Sequence, residues 1–443
     1  MVEKEVVLTV AGSDSGGGAG IQADLKTMEA FDVFGTSAIT SVTAQNTLGV
    51  DGVEDVSPEM VGEQIDSVCT DYDVGCVKTG MVSNAEIIDV VAEKIREYDL
   101  DAVVDPVMVS ETGDRLLDRD AEDSMREKLV PEARLVTPNV PETTVLTDID
   151  VENIGEMESG AKILVQEGAN AALVKGGHVG ESGEESVVDV LFTGSLSSFR
   201  KPKVEDAGTH GSGCTLSSAI AAGLAKDMSL HSAVSRAEEF MYRAVKFGLD
   251  VGEGEGPVHH MAEIRNEVER FDALRKVRSA VESFENRDIS KLVPEVGMNV
   301  AVATPYALEQ DEVAAVEGRI HRVTDGVSAN EDVWFGASGH IARFLLEMRE
   351  YDDLRAACNL RNNEYVSEKV EGLFDAKKFD RTGEPGHVDT MEWSARKVME
   401  DRDSVPDAVI DGGAVGKEPM IRILASSAGE LRQMVLRLEE ALS

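Results

Sequence analysis

The chain has 443 residues, 42% of them hydrophobic, and 84 Asp and Glu stand against 43 Lys and Arg for a formal net charge of −41. The length predicts two or three domains, and that hydrophobic content excludes wholesale disorder. The acidity is spread along the chain, which disfavours duplex nucleic acid and anionic membranes as partners because both need clustered Lys and Arg. It predicts instead a hydrated surface suited to a salty cytoplasm, where self-repulsion is screened.

The first stretch, MVEKEVVLTVAGSDSG, lacks a basic region followed by a long apolar core and reads as a strand, not a signal peptide. No segment reaches the ~18 apolar residues of a membrane helix, so a cytoplasmic enzyme is the expectation. Strands are expected at EVVLTVAG, SAITSVTAQN, VGCVKTGM, DAVVDPVM, ARLVTPN and AALVKGGH, with helices between them at AGIQADLKTMEAF, NAEIIDVVAEKIREY and MESGAKILVQEG. This alternation predicts an α/β fold with a mostly parallel sheet flanked by helices. Ligands of such sheets sit at the carboxyl ends of strands, where this sequence places Asp105, Asn139 and Lys175.

LDVGEGEGPVHH, residues 249–260, has the glycines and proline of a boundary. The following MAEIRNEVERFDALRKVRSAVESFE predicts one charged helix of about seven turns. The expected organisation is a first domain over residues 1–260, a helical linker over 261–274 and a second, separate α/β domain over 275–443. That last region carries its own strands (NVAVATP, AVIDGG, MIRILAS) and helices (HIARFLLEMREY, SAGELRQMVLRLEEAL). Cys69, Cys76, Cys214 and Cys358 have neither paired nor zinc-finger spacing, so no disulfide framework or zinc knuckle is expected.

Two glycine loops carry the chemistry of the first domain. In VAGSDSGGGAGIQAD, Gly18, Gly20 and Ala23 fit a GxGxxA pattern, but the second strand ends in Gln45 and Asn46 where a dinucleotide site wants a carboxylate. A pocket for a small polar substrate is the better reading, with a plain tight turn as the alternative. In DAGTHGSGCTLSSAIAAGL, Gly208, Gly211 and Gly213 precede a helix, and stacked amides at a helix N-terminus bind anions such as phosphate. Cys214 at that terminus is expected to have a lowered pKa and to serve as base or nucleophile; the bland alternative is a small cysteine packed at a helix start. Lys175 can neutralise a transferring phosphoryl group, and Asp105 and Glu142 are hard oxygen donors for magnesium, directly or through water. Together these residues predict a phosphotransferase.

The segments AGSDSGGGAGIQADLKT, TAQNT, VKTGM, DPVM, TPNVPE, VKGGH, THGSGCTLSSA and GPVHH, in this order over residues 5 to about 260, resemble the hydroxymethylpyrimidine and phosphomethylpyrimidine kinase family of thiamin biosynthesis. The resemblance implies a ribokinase-like fold, two successive phosphorylations of 4-amino-5-hydroxymethyl-2-methylpyrimidine with ATP and Mg2+, and a homodimer. It implies that Asp24, Gln45, Met81 and Val107 line the pyrimidine pocket. It also implies that Gly211, Ser212 and Gly213 form an anion hole, with Asn139 and Thr209 in the same ATP-binding region. Cys214 would stand where other ribokinase-like enzymes use an Asp base.

In the last region, WFGASGHIARFLLEM predicts a strand end, a small-residue turn and a helix with His340 in its first turn. DGGAVGKEPMIRI reads as a phosphate cradle with Lys417, since Glu418 replaces the Ser or Thr of a P-loop. With AAVEGRI around Arg319, these segments resemble the archaeal-type thiamine-phosphate synthase domain over roughly residues 275–440. The resemblance implies that pyrimidine diphosphate is joined to thiazole phosphate with release of pyrophosphate, that Arg319 and His340 form the catalytic pair and that Lys417 contacts phosphate. The competing readings are a second domain that only senses thiamine phosphates, a kinase acting on pyridoxal, and a cysteine hydrolase. No His or Asp is tied by sequence to the thiol that a hydrolase would need.

Overall fold

The computed structural model describes residues 3–108, 117, 119–177, 186–205, 208–329, 332–380, 390–413 and 418–442. The chain divides into two compact units, 1–263 and 264–443.

In the first unit, β1 (Val6–Asp14) leads through a glycine loop to α1 (Gly20–Ala30), then to β2 (Phe34–Asn46), β3 (Gly49–Asp55) and α2 (Pro58–Cys69). β4 (Val74–Thr79), α3 (Ala85–Glu97), β5 (Ala102–Val104), α4 (Arg119–Ser124) and β6 (Leu135–Val136) follow. The unit continues with α5 (Val140–Thr147), α6 (Ile154–Gln166), β7 (Ala172–Val174), β8 (Ser186–Phe192), β9 (Leu196–Pro202), α7 (Ser212–Ala225) and α8 (Leu230–Lys246). One nine-stranded sheet runs β3-β2-β1-β4-β5-β6-β7-β8-β9. It is parallel from β2 to β7, with antiparallel additions at both edges.

Successive strand residues point to opposite faces, and the buried strand residues divide accordingly. Leu8, Val77, Val104 and Val136 pack with Ile65, Ile87, Val91 and Leu164 from α2, α3 and α6. Val7, Cys76, Val103 and Leu135 pack with Leu216, Ile220 and Phe240 from α7 and α8. The mostly parallel sheet is as expected; β3, β8 and β9 are additions. β3 is largely exposed, and β9 alternates exposed with half-buried residues, so neither carries the apolar run that marks the inner strands. The segment 249–260, read as the boundary that closes the first domain, packs against this unit. Gly208 lies so close to Gly256 that an added Cβ would sit 2.3 Å from the Gly256 carbonyl oxygen, and Gly254 is as tight against Thr47. Its glycines serve close backbone packing.

The second unit begins within α9 (Ala262–Val268), followed by α10 (Arg270–Arg287), so the single long helix expected there is interrupted at Glu269. The two pieces are held differently. Buried Asn266 of α9 donates to Glu312 and accepts from the Tyr306 amide, while Ala273, Val277, Ala280 and Phe284 of α10 join the sheet core. α10 is thus an integral helix of this unit.

β10 (Val300–Ala303), β11 (Val313–Val316), the hairpin β12 (Ile320–Val323) and β13 (Gly326–Ala329), β14 (Val333–Phe335) and α11 (Gly339–Met348) follow. The unit closes with β15 (Ala356–Arg361), α12 (Glu364–Leu373), β16 (Ala376–Phe379), α13 (Thr390–Met399), β17 (Ala408–Asp411), β18 (Met420–Ala425) and α14 (Ala428–Leu442). A seven-stranded sheet, β14-β11-β10-β15-β18-β17-β16, is antiparallel except between β16 and β17. α10 and α14 cover one face, and α11 and α13 the other. No helix among the described residues is long and apolar enough to cross a membrane.

Candidate active sites

The carboxyl ends of the parallel strands converge on the N-terminus of α7. Asp105 follows β5, and the bridge between Asn139 and Lys175 extends β6 and β7. Lys175 Nζ lies 2.9 Å from Asp105 Oδ1, which also accepts from Thr137 Oγ1. A Cβ added to Gly213 would be 3.3 Å from that Nζ and 3.6 Å from Asp105 Oδ2, so the first turn of α7 lies close against the pair. Burial alone would lower the Lys175 pKa, but Asp105, Glu142 and the Cys214 sulfur raise it overall. Lys175 is therefore a fixed positive charge.

Gly211 caps α7 in the left-handed region at φ 80°. An added Cβ there would lie 1.9 Å from the Gly18 carbonyl oxygen, so the two glycine loops touch backbone to backbone. The Ser212 amide donates to the Thr209 carbonyl at 2.9 Å. This removes one of the three amides expected for an anion hole. The Thr209 hydroxyl donates to Glu255. In the first loop, the Asp14 carboxylate takes the amides of Gly16, Gly18 and Ala19 and stands 3.4 Å from His210 Nε2. Burial works against its charge, but His210 and the amides hold the carboxyl down to about 2. Those amides are spent within the loop, which removes the dinucleotide reading.

Two expectations need correction. Asp24 does not line an open pocket: it has no exposed surface. Its carboxylate is gripped by Lys78 Nζ at 2.8 Å, Ser218 Oγ at 2.7 Å and Thr9 Oγ1 at 2.6 Å. It ties α1, α7, β1 and β4 together behind the site. Cys214 does not have a lowered pKa either. The residue keeps some exposed surface, but burial of its thiol, reinforced by Asp24 and Asp105, pushes it up to about 11 against the opposing pull of Lys78 and the Gly20 amide.

Lys78 escaped the sequence reading, although a lone cation inside the apolar strand VGCVKTGM signals a buried partner. Replacing Lys78 with Met would strand the Asp24 charge, and the first unit should lose about 3–5 kcal/mol. Thermal unfolding of the full chain would read this as a lowered first-unit transition.

Gln45 is half-buried at the end of β2, with Oε1 accepting from Thr43 Oγ1. Met81 Cε lies against Gly12, where an added Cβ would stand 2.7 Å away, and half-buried Val107 follows Asp105. Asn139 and Glu142 cap each other at the start of α5 in a reciprocal capping box. Burial, with Asp105 nearby, pushes the Glu142 carboxyl up to about 7 despite Lys175.

In the second unit, Arg319 and His340 both border one cavity of about 390 Å³, with Asn299, Asn359, Glu418 and Arg422 also in its wall. Gly297, at φ 88°, leaves room for the Arg319 side chain, which would lie 2.9 Å from an added Cβ. Glu418 is anchored to the amides of Glu295 and Val296. Arg422, which the sequence reading did not single out, is buried, pairs with Asp411 at 3.2 Å and lies over the Phe344 ring at 5.0 Å. Phe344 is one turn beyond His340 on α11. Lys417 lies outside the described residues.

A parallel sheet whose strand ends meet a glycine-opened helix beside a buried Lys–Asp pair defines a ribokinase-like phosphotransferase, here joined to a second α/β unit. The chain belongs to the phosphomethylpyrimidine kinase family, whose model matches residues 14–259, and residues 276–437 match the thiamine-phosphate synthase ThiN model. The hydroxymethylpyrimidine/phosphomethylpyrimidine kinase of Rhizobium meliloti is 49% identical over 259 residues, 58% of this chain and 96% of that protein. The thiamine biosynthesis bifunctional protein ThiED of Geobacter sulfurreducens is 46% identical over 58% of this chain and 52% of its own length. Among solved structures, an ADP complex of Bacillus subtilis pyridoxal kinase matches at a TM-score of 0.55 and 32% identity, covering 59% of this chain and 99% of that one.

Proposed function

We propose that the first unit phosphorylates 4-amino-5-hydroxymethyl-2-methylpyrimidine to its mono- and diphosphate with ATP, and that the second joins the diphosphate to thiazole phosphate, giving thiamine monophosphate and pyrophosphate. The observation that carries this reading is the meeting of Lys175, Asp105 and Cys214 at the N-terminus of α7. The pyrimidine is preferred to pyridoxal because the pyrimidine kinase relative is 49% identical while the pyridoxal kinase structure is 32% identical.

Lys175 and the first-turn amides of α7 would balance charge on the transferring phosphoryl group and its leaving oxygens. Cys214 would take the proton of the substrate hydroxymethyl. Asp105 and Glu142 fit a magnesium ion held through water, since both are hard donors and the Glu142 carboxyl, raised to about 7 by burial and Asp105, gains from a nearby cation. Magnesium there would neutralise phosphate charge. In the second unit, departure of pyrophosphate leaves a stabilised pyrimidine cation for the thiazole nitrogen, and Arg319, His340 and Lys417 would stabilise the leaving diphosphate.

The test incubates the full chain with the hydroxymethylpyrimidine, thiazole phosphate, ATP and magnesium in concentrated potassium chloride and assays thiamine monophosphate by mass. His340→Ala should abolish that product while pyrimidine diphosphate accumulates. Accumulation of the diphosphate without product in the unmodified chain would make the second unit a sensor.

A further inference from the structure

Two buried carboxyls behind the kinase site take no part in the chemistry described so far. Asp189 of β8 and Glu238 of α8 are only 8% and 7% exposed. Asp189 lies on the same face of β8 as Leu191, the face that α8 covers, and the two carboxyls interact there. The register that pairs Val174 with Val190 brings Asp189 just past the end of β7. There its Oδ1 accepts the Gly176 amide at 2.8 Å. Gly176 is pressed against β8, since an added Cβ would lie 2.0 Å from the Val188 carbonyl oxygen. The residue before it is Lys175, whose ammonium meets Asp105.

We propose that Asp189 and Glu238 are positioning residues of the kinase: a single proton shared between their carboxyls holds the Gly176 backbone, and through it Lys175, in register with the phosphoryl-transfer site. Two facing carboxylates in a buried layer cannot both stay charged, so one keeps its proton and donates to the other. Burial raises both pKa values, Glu238 far above the usual carboxylate range; Lys175 acts on Asp189 and Lys201 on Glu238 in the opposing direction. The protonated Glu238 is then the donor that keeps Asp189 aimed at Gly176.

This inference rests on Lys175 acting at the transferring phosphoryl group, and the experiment separates the two ideas. Full-length Glu238→Gln, Glu238→Leu and Lys175→Met proteins are compared for kcat and KM for ATP, phosphorylating the pyrimidine monophosphate, with thermal unfolding of each. Gln keeps an N–H donor toward Asp189 and should retain the kcat of the unmodified chain. Leu lacks one and should lower kcat about 10- to 10²-fold, with KM little changed, because Lys175 is misplaced. A Glu238→Leu protein with an unchanged thermal transition and unchanged kcat overturns the proposal, as does a Gln variant that loses as much as Leu. An active Lys175→Met protein overturns the underlying role of Lys175 instead.

Discussion

Replacing Cys214 with Ala should slow phosphorylation of the hydroxymethylpyrimidine by about 10²- to 10⁴-fold, the range for loss of a general base, and leave phosphorylation of the monophosphate nearly unchanged. The first acceptor is an alcohol and must lose a proton; the second is a phosphate oxygen that is already ionised. The thiol's pKa of about 11 adds a pH signature. At pH 7 only about 10⁻⁴ of it is thiolate. The first step should therefore accelerate close to tenfold per pH unit on the alkaline side of neutrality, whereas the second step should not. Initial rates with each substrate across that range test both points. Equal losses in the two steps, or a first step indifferent to pH, would remove Cys214 from proton transfer.

Replacing Lys175 with Met should slow both phosphorylations by about 10²- to 10³-fold, the range for removing one preorganised group that stabilises transition-state charge. On the proposed function, each step would transfer an ATP γ-phosphoryl group past the same ammonium, so the two should fall together, unlike the Cys214 case. The variant also leaves Asp105 buried without its cation, so a lowered first-unit thermal transition should accompany the kinetic loss. Supplying pyrimidine diphosphate directly should restore thiamine monophosphate production, since the second unit keeps all its residues. Failure of that bypass would show that the damage had spread beyond the kinase site.

Lys175 and Asp105 were legible in the sequence because each follows an apolar strand whose direction and end can be read locally. Arg319 and His340 came from a resemblance, and both border the second unit's cavity. The misreadings have one physical origin, contacts made across long sequence separations. A helix terminus suggests a thiolate at Cys214, but burial in the fold, reinforced by carboxylates from positions 24 and 105, opposes it. Asp24 sits in a motif that reads as a substrate loop, and only the fold brings Lys78 and Ser218 to it. The outer strands β3 and β9 lack a buried apolar run to announce them.

The grip of Ser218 on Asp24 spans 194 positions, and Lys226 reaches the Phe31 carbonyl across 195. Such contacts form late, because the loops they close are long and must be ordered first. On the ribosome, the first strands emerge well before α7 exists to complete the Asp24 cluster. A nascent chain stopped short of residue 212 has every parallel strand of the first unit but lacks α7 and α8, which cover one face of the sheet. The kinase centre is therefore incomplete until late in synthesis, and interrupted synthesis would leave an apolar sheet face open to aggregation.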